Sequence, residues 1–238
     1  MRIQKINILR RAVKDIMYIS RKKDNVFIWG SFDILNFNKI KEKSSLYAYL
    51  LFCYIKTAEQ YKPFINSYIT KKDNKIIFDE IDLAISVEKE FEKEKLPLIY
   101  IIRNAGDKSL DDINSELKKA KNAGVNELIN KESMSFYSKP DWIRKIGWNN
   151  ILRNPEKFKQ YLGTTAMTTL HNSGTSDIFA IPASPYTCTL TVGSVTGDEF
   201  IKKINLSLTF DHNIIDGVPS VNIFETFKAF VNTLCDGG

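Results

Sequence analysis

Two side chains near the carboxyl terminus have the types and the spacing to perform acid–base chemistry. His212 is one of two histidines in the chain, and Asp216 follows four residues later, directly before Gly217. A histidine beside a carboxylate can accept a proton near neutral pH. A histidine close to an aspartate is also common in ordinary turns, so this spacing alone leaves a catalytic base and a polar turn residue as alternatives.

The segments around this pair predict a strand-to-helix connection. The alternating sequence at 203–210 predicts a strand, and residues 219–234 predict an amphipathic helix. His212 should therefore lie in the loop between them, where a rigid scaffold often presents functional groups. Residues 186–195 alternate in the same way, and Thr-Gly-Asp-Glu at 196–199 indicates a hairpin between the two strands.

Helices and strands alternate through the rest of the chain. The segment 44–61 is apolar nearly all round, which predicts a buried helix with Ser44 or Ser45 as its N-cap. The capping-box pattern that begins at Ser109 predicts a helix over 110–122. Further helices are predicted at 5–19 and within 141–161, and strands at 25–35, 75–78, 82–88, 97–104 and 163–170.

The composition is that of an ordinary globular protein. Of 238 residues, 43% are hydrophobic, and no apolar run approaches the length of a membrane span. The amino terminus lacks the apolar core of a secretory signal. Cys53, Cys188 and Cys235 are widely spaced, with no CxxC pair. We therefore expect a cytoplasmic protein with reduced thiols, no metal site and no membrane partner.

The net charge of +6 raises the question of nucleic-acid binding. The lysines are mixed with acids, as in KEFEKEK at 89–95, and such runs are usually solvated faces. No zinc-finger spacing, RNP-like motif or basic stripe accompanies them, so we expect no nucleic-acid partner. A basic surface would equally suit a nucleotide thioester or an acidic carrier protein.

Four segments of the chain resemble one enzyme family. SLTFDHNIIDG at 207–217 is similar to the S-x-S-F/Y-D-H-R-x-x-D-G signature of dihydrolipoyl acyltransferase catalytic domains, which share their fold and histidine motif with chloramphenicol acetyltransferases. YIIRNAGDKSLDDI at 100–113 resembles the family's P-V-V-R-D-A-D-x-K-S-L-x-E-I segment, and GTTAMTTLH at 163–171 resembles G-T-F-T-I-S-N-L-G. The buried helix leading to strands at 75–88 also occurs in the family's order.

The resemblance implies a fold and a domain organisation. It implies an α/β chloramphenicol acetyltransferase-like fold, a two-layer sandwich of a mixed sheet packed with helices. We expect residues 1–238 to form a single acyltransferase catalytic domain, with no lipoyl or subunit-binding domain. It also implies a free-standing homotrimer whose active site lies between subunits.

The resemblance also implies the roles of the catalytic residues. His212 matches the family's general base, and Thr168 matches a serine whose hydroxyl stabilises the oxyanion. Thr169 takes that role if the strand register shifts by one residue. Asp216 matches an acid that supports the histidine loop, and Arg10, or alternatively Arg11, is its expected partner.

Several positions depart from the family pattern. Asn213 replaces the arginine that follows the histidine, which removes a charge that helps to organise the loop. Tyr100 replaces a proline beside the substrate channel, and EKEFEKEK at 88–95 replaces a short glycine turn. His171 stands where the family has glycine and is expected in a loop. These changes indicate an altered substrate or channel.

The resulting prediction is an acyltransferase. The donor would be a thioester of coenzyme A, of the phosphopantetheine of an acyl carrier protein, or of a lipoyl-type thiol. The acceptor would be a thiol, a hydroxyl or an amine, and the cofactor-binding residues stay open. The alternative is a non-catalytic trimeric scaffold or binding protein that keeps the fold, motivated by Asn213 and the changed channel.

Overall fold

The computed structural model describes residues 6–172, 176–198 and 201–234. The strands within these ranges are β1 (Asn25–Ile34), β2 (Ser67–Ile69), β3 (Lys75–Ile77), β4 (Leu83–Phe91), β5 (Glu94–Ile102), β6 (Thr165–Asn172), β7 (Cys188–Gly197) and β8 (Lys202–Asp211). The helices are α1 (Ile8–Ser20), α2 (Phe37–Lys43), α3 (Leu46–Gln60), α4 (Lys62–Ile65), α5 (Leu110–Asn122), α6 (Val125–Leu128), α7 (Lys131–Ser138), α8 (Asp141–Ile151), α9 (Pro155–Leu162) and α10 (Gly217–Thr233).

A six-stranded mixed sheet in the order β1-β8-β7-β6-β4-β5 organises the fold. β6 runs parallel to β4 and to β7, and the other neighbouring pairs are antiparallel. β2 and β3 form a separate antiparallel pair. The expected α/β class, a mixed sheet packed with helices, is confirmed.

One face of the sheet packs against α3, α5 and α10. Alternate residues of β8, such as Leu206, Leu208 and Phe210, are buried there in the main hydrophobic core. α3 is apolar on most of its circumference because it is enclosed between the sheet and its neighbouring helices. Ser45, rather than Ser44, caps its first turn.

The opposite face is covered by two different structures. Over β4, β5 and β6, the helices α1, α8 and α9 contribute Ile19, Trp148 and Phe158 to a second apolar cluster. Over β7 and β8, the extended segment 178–186 lies on a polar surface. Ser207 donates a hydrogen bond to the carbonyl of Ala180, and Thr209 donates one of 2.8 Å to that of Pro182. Side-chain hydroxyls thus satisfy the backbone of the covering segment.

A buried ion pair fixes α1 against α8. Arg144 donates to both carboxylate oxygens of Asp15, at 2.8 and 3.1 Å, and Trp148 Nε1 donates to the same carboxylate at 3.1 Å. Since both charged side chains are about 4% exposed, removing either one would leave an uncompensated buried charge.

Most of the predicted elements are confirmed, and one prediction is wrong. α5 begins at Leu110 with the complete capping box of Ser109 and Asp112. The charged run 89–95 is exposed or half-buried, in line with a solvated face, and it forms the end of the hairpin of β4 and β5. Glu92 and Lys93 adopt φ of 49° and 66°, as a tight two-residue turn requires. His171 lies within β6 and not in a loop, because the strand extends to Asn172.

Two further predictions fall partly outside the described residues. β7 and β8 pair antiparallel as the expected hairpin demands, but 199–200 in its turn are not described. Cys53 and Cys188 are buried and form no disulfide within the described ranges, and Cys235 lies outside those ranges. No helix in 6–172, 176–198 or 201–234 is both long and apolar enough to cross a bilayer.

Candidate active site

His212 follows the last residue of β8, at the point where the chain turns toward α10. Its backbone N–H donates to the carbonyl of Asp24 at 2.9 Å, so the loop is attached to the turn between α1 and β1. Its ring lies 6.4 Å from that of the buried Phe210. Its side chain is 52% exposed, so the ring is accessible while its backbone is fixed.

Asp216 is the nearest carboxylate to the His212 ring. Its Oδ1 lies 3.5 Å from His212 Nδ1. The carboxylate therefore lies on the Nδ1 side of the imidazole ring, away from Nε2. Asp216 is also the N-cap residue of α10, and its side chain makes no capping hydrogen bond. The predicted pair is therefore brought together.

Asp211 anchors the His212 loop through both its carboxylate and its backbone carbonyl. Its carboxylate is buried, and Oδ2 accepts a hydrogen bond of 2.8 Å from Lys23 Nζ. Its backbone carbonyl accepts from the N–H groups of Ile214 and Ile215, which forms the turn after His212. Lys23 also lies 4.9 Å from the ring centre of Tyr68. Burial and, to a lesser extent, the charge of Asp211 raise the pKa of that tyrosine to about 12.

Asn213 joins the two aspartates next to the histidine. Its Nδ2 donates to Asp211 Oδ1 at 2.8 Å and to Asp24 Oδ2 at 2.9 Å. An amide has two N–H donors, so it can satisfy both carboxylates without adding charge. The cation in this cluster is Lys23, which pairs with Asp211.

Arg10 does not lie against Asp216. Its guanidinium is 3.5 Å from Glu94 at the start of β5, and its backbone N–H is held by the Asn7 cap of α1. Arg11 lies 3.4 Å from the carbonyls of Tyr137 and Ser138. The expected pairing of either arginine with Asp216 is therefore not found within the described chain, because α1 directs both of them elsewhere.

Thr168 lies in the middle of β6 and is half-buried. It is in register with Thr191 of β7, which in turn is opposite Ser207 of β8. The hydroxyl of Thr191 is buried and has no hydrogen-bond partner in the described part of the chain. Thr169, the alternative donor, points to the other face because side chains alternate along a strand.

The strand register separates Thr168 from His212 within one chain. Thr168 is level with Ser207, which precedes His212 by five residues, and one strand lies between β6 and β8. At 3.3 Å per residue and 4.8 Å per strand, the two Cα atoms are roughly 19 Å apart. A histidine side chain is far too short to span that distance.

Neither Cys188 nor a metal centre offers an alternative catalytic group in the described chain. Burial raises the pKa of the Cys188 thiol to about 12, so it is protonated at neutral pH and is not a nucleophile. Within the described ranges, no three histidine, cysteine, aspartate or glutamate side chains are grouped to hold a metal ion.

Comparison with known proteins shows a likeness in structure only. No protein-family model and no curated protein sequence matches the chain. A probable dihydrolipoamide acetyltransferase from Listeria monocytogenes 4b F2365 superposes with a TM-score of 0.66 at 19% identity, over 97% of this chain and 94% of that one. A chloramphenicol acetyltransferase superposes with a TM-score of 0.55 at 14% identity, over 96% and 99%. The chain has the chloramphenicol acetyltransferase-like fold.

A third structure with this fold bears on the histidine loop. The dihydrolipoamide acetyltransferase of Azotobacter vinelandii superposes with a TM-score of 0.66 at 13% identity, over 98% of this chain and 93% of that one. In that enzyme, a serine, a histidine and an asparagine four residues after the histidine were studied for their role in the catalytic mechanism.

Sequence reasoning missed two residues that hold the histidine loop. Lys23 and Asp24 are 188 and 189 residues from their side-chain partners, Asp211 and Asn213. No local pattern signals such contacts. The local signal at these positions was the turn-like sequence Lys23-Asp24-Asn25 before a predicted strand. This signal does not show with which strand β1 pairs, so it could not reveal the contacts with the histidine loop.

Proposed function

We propose that this chain is an acyltransferase that moves an acyl group from a thioester to a thiol, hydroxyl or amine acceptor. The observation that carries the proposal is the His212 loop: an accessible imidazole, with Nδ1 against Asp216, on a backbone fixed by Asp24. Its occurrence on the chloramphenicol acetyltransferase-like fold supports the reaction class. We propose that the described residues act as one catalytic domain.

In this reaction His212 acts as the general base. Its unprotonated Nε2 accepts the proton of the acceptor's S–H, O–H or N–H group as that atom bonds to the thioester carbonyl carbon. The carbonyl π electrons move to oxygen, and the oxyanion accepts a hydrogen bond from the Thr168 hydroxyl. The carbonyl then re-forms, the C–S bond breaks, and the imidazolium returns its proton to the leaving thiolate. Asp216 stabilises the imidazolium between these steps.

The separation of Thr168 from His212 supports an active site shared between subunits. Because one chain cannot bring the two groups to the same carbonyl, His212 of one copy would work with Thr168 of another. In a homotrimer, the three-fold symmetry would create one such shared site at each of the three interfaces.

The donor is proposed to be an acyl thioester of coenzyme A or of an acyl carrier protein. The net charge of +6 favours an anionic donor of either kind. We propose a cytoplasmic location, where the buried thiols of Cys53 and Cys188 would stay reduced.

The test is acyl transfer by the purified protein and its His212→Ala variant. Acetyl- and longer acyl-CoA donors are offered with dihydrolipoamide or other small thiols, alcohols and amines, and products are identified by mass. We expect turnover that falls by about 10²–10⁴-fold in His212→Ala, the usual contribution of a general base. Full activity in that variant would contradict the mechanism.

A non-catalytic trimeric scaffold is the second candidate. The replacement of the family's arginine by Asn213 favours it. It predicts assembly without turnover of any donor, including acyl carrier proteins, and an unchanged oligomer in His212→Ala.

A further inference from the structure

A cavity of about 560 Å³ opens on the sheet face that carries Thr168. Its floor is formed by Ser86 of β4 and Ile99 of β5, which are directly opposite each other in the sheet. Its walls come from α1, α7 and α8, and the wall residues are Val13, Ile16, Tyr137 and Trp148. Pro182 of the covering segment closes the side toward β7 and β8.

The cavity reaches Ser86 of β4, the strand next to the one that carries Thr168. β4 and β6 pair in parallel register up to Ile85 and Met167, and Ser86 and Thr168 are the next residues on the two strands. Both side chains follow the alternation of Ala84 and Ala166, which are buried in the apolar cluster of this face. Any group extending from a carbonyl at Thr168 toward β4 would therefore enter this cavity.

Most of the cavity lining is apolar, and the one cation among its described residues, Arg103, is already paired. Arg103 donates to Asp82 at 2.7 Å, to the Lys159 carbonyl at 2.8 Å, and to the Gln160 carbonyl. Burial, and secondarily the charge of Asp15, raise the pKa of Tyr137 to about 12, so its phenol stays neutral. Glu127 is exposed. A carboxylate placed in the cavity would find no unpaired cation among the described lining residues.

We propose that this cavity binds the acyl group of the donor, and that this acyl group is uncharged, apolar and larger than acetyl. The inference rests on the proposed acyl transfer. In the proposed reaction the carbonyl oxygen accepts a hydrogen bond from Thr168. The acyl chain is bonded to the same carbonyl carbon, so the acyl chain is the part of the substrate that can extend toward Ser86. The volume is typical of a site for a small organic molecule and far exceeds the need of a methyl group.

The first experiment compares acyl-CoA donors of increasing length. Acetyl-, butyryl-, hexanoyl-, octanoyl- and succinyl-CoA are assayed with dihydrolipoamide as acceptor. We expect kcat/KM to rise by about fourfold for each methylene that enters the cavity, and succinyl-CoA to be a poor donor. Equal use of acetyl- and octanoyl-CoA, or a preference for succinyl-CoA, would overturn the proposal.

A cavity-filling variant locates the effect. Val13→Phe places a larger side chain in the wall, and Met17→Phe is its control on the same helix, at a position that is 39% exposed and outside the lining. We expect Val13→Phe to lower kcat/KM for octanoyl-CoA by roughly tenfold or more and to leave acetyl-CoA nearly unchanged. An equal loss for both donors would contradict an acyl site, and thermal melts check that both variants fold.

A binding measurement separates this proposal from the proposed catalysis. Octanoyl-CoA, acetyl-CoA and free coenzyme A are titrated against the protein by calorimetry, and against a Trp29→Phe/Trp142→Phe variant in which Trp148 reports the cavity by fluorescence. If no donor is turned over but octanoyl-CoA binds more tightly than coenzyme A and quenches Trp148, the catalytic proposal fails and the cavity assignment stands. Equal affinity of all three ligands without quenching would refute the cavity assignment whatever the activity.

Discussion

Lys23 Nζ lies 2.8 Å from Asp211 Oδ2, with the two side chains only 11% and 3% exposed. This pair joins the turn before the first strand to the residue that precedes the candidate base. The histidine loop is therefore held from the other end of the chain.

Replacing Lys23 should destabilise the protein and misplace His212. Lys23→Met leaves the Asp211 carboxylate buried and uncompensated, which costs about 3–5 kcal/mol in the free energy of unfolding. Urea denaturation measures this loss. Lys22→Met is the matched control, because the neighbouring lysine contacts Asn149 at an exposed site and should change stability by less than about 0.5 kcal/mol. Equal losses in the free energy of unfolding of the two variants would show that the buried Lys23–Asp211 pair contributes no more to stability than the exposed lysine.

Asn213 should tolerate an apolar residue better than a negative charge. Asn213→Leu removes two hydrogen bonds to carboxylates, whereas Asn213→Asp places a third carboxylate beside Asp24 and Asp211. Repulsion raises the pKa of the new aspartate in the folded state above its unfolded value of about 3.9. The extra instability of Asn213→Asp should thus be absent well below pH 4 and appear as the pH rises above it. Because Lys23 is already paired with Asp211, we do not expect it to neutralise the charge of the new aspartate. Denaturation curves from pH 3 to pH 7 measure the effect.

Two inactive variants should restore activity when they assemble together. We expect Thr168→Val and His212→Ala each to lose at least about 10²-fold in kcat. If the site is shared between copies, refolding an equal mixture should restore about a quarter of the sites, those that combine an intact His212 with a neighbour's intact Thr168. Mixing without unfolding is the control. A mixture no more active than its components would place both groups in one chain or remove Thr168 from the site.

Two glycines should respond in opposite ways to alanine. A Cβ at Gly193 would lie 2.0 Å from the carbonyl oxygen of Ile178, so Gly193→Ala must displace the covering segment and should cost more than about 2 kcal/mol. A Cβ at Gly217 has nothing within 4 Å, and this residue begins α10, so Gly217→Ala should keep or slightly raise stability. Thermal melts of both variants decide the matter.

Local patterns predicted most of the fold and only part of the site. The capping box at Ser109 and the alternation of β7 and β8 act over a few residues, so they can be read directly from the sequence. The hairpin at Glu92 and Lys93 was missed because its residues are charged and lack the usual glycine or asparagine. Positive φ at both positions is set by the pairing of the flanking strands, which no local pattern displays.

The site shows the same division between local and distant contacts. Asp216 lies one helical turn from His212, so their contact follows from spacing. The partner of Asp211 comes from far along the chain, and the direction of Arg10 depends on how α1 packs against β5. Such contacts depend on the assembled fold, and an arginine near the amino terminus was consequently given the wrong partner.

The pairing of β1 with β8 also determines when β1 can fold during synthesis of the chain. β1 is an edge strand whose only neighbour in the described sheet is β8, beginning with Asn25 opposite Asp211. At 5–20 residues per second, a ribosome would need roughly 10–40 s to make the intervening chain. During that interval the first strand has no partner, and its alternate apolar residues, including Phe32 and Ile34, await their core. The histidine loop and its anchor thus become native only after β8 has been made, so a chain that ends before β8 leaves β1 without its partner.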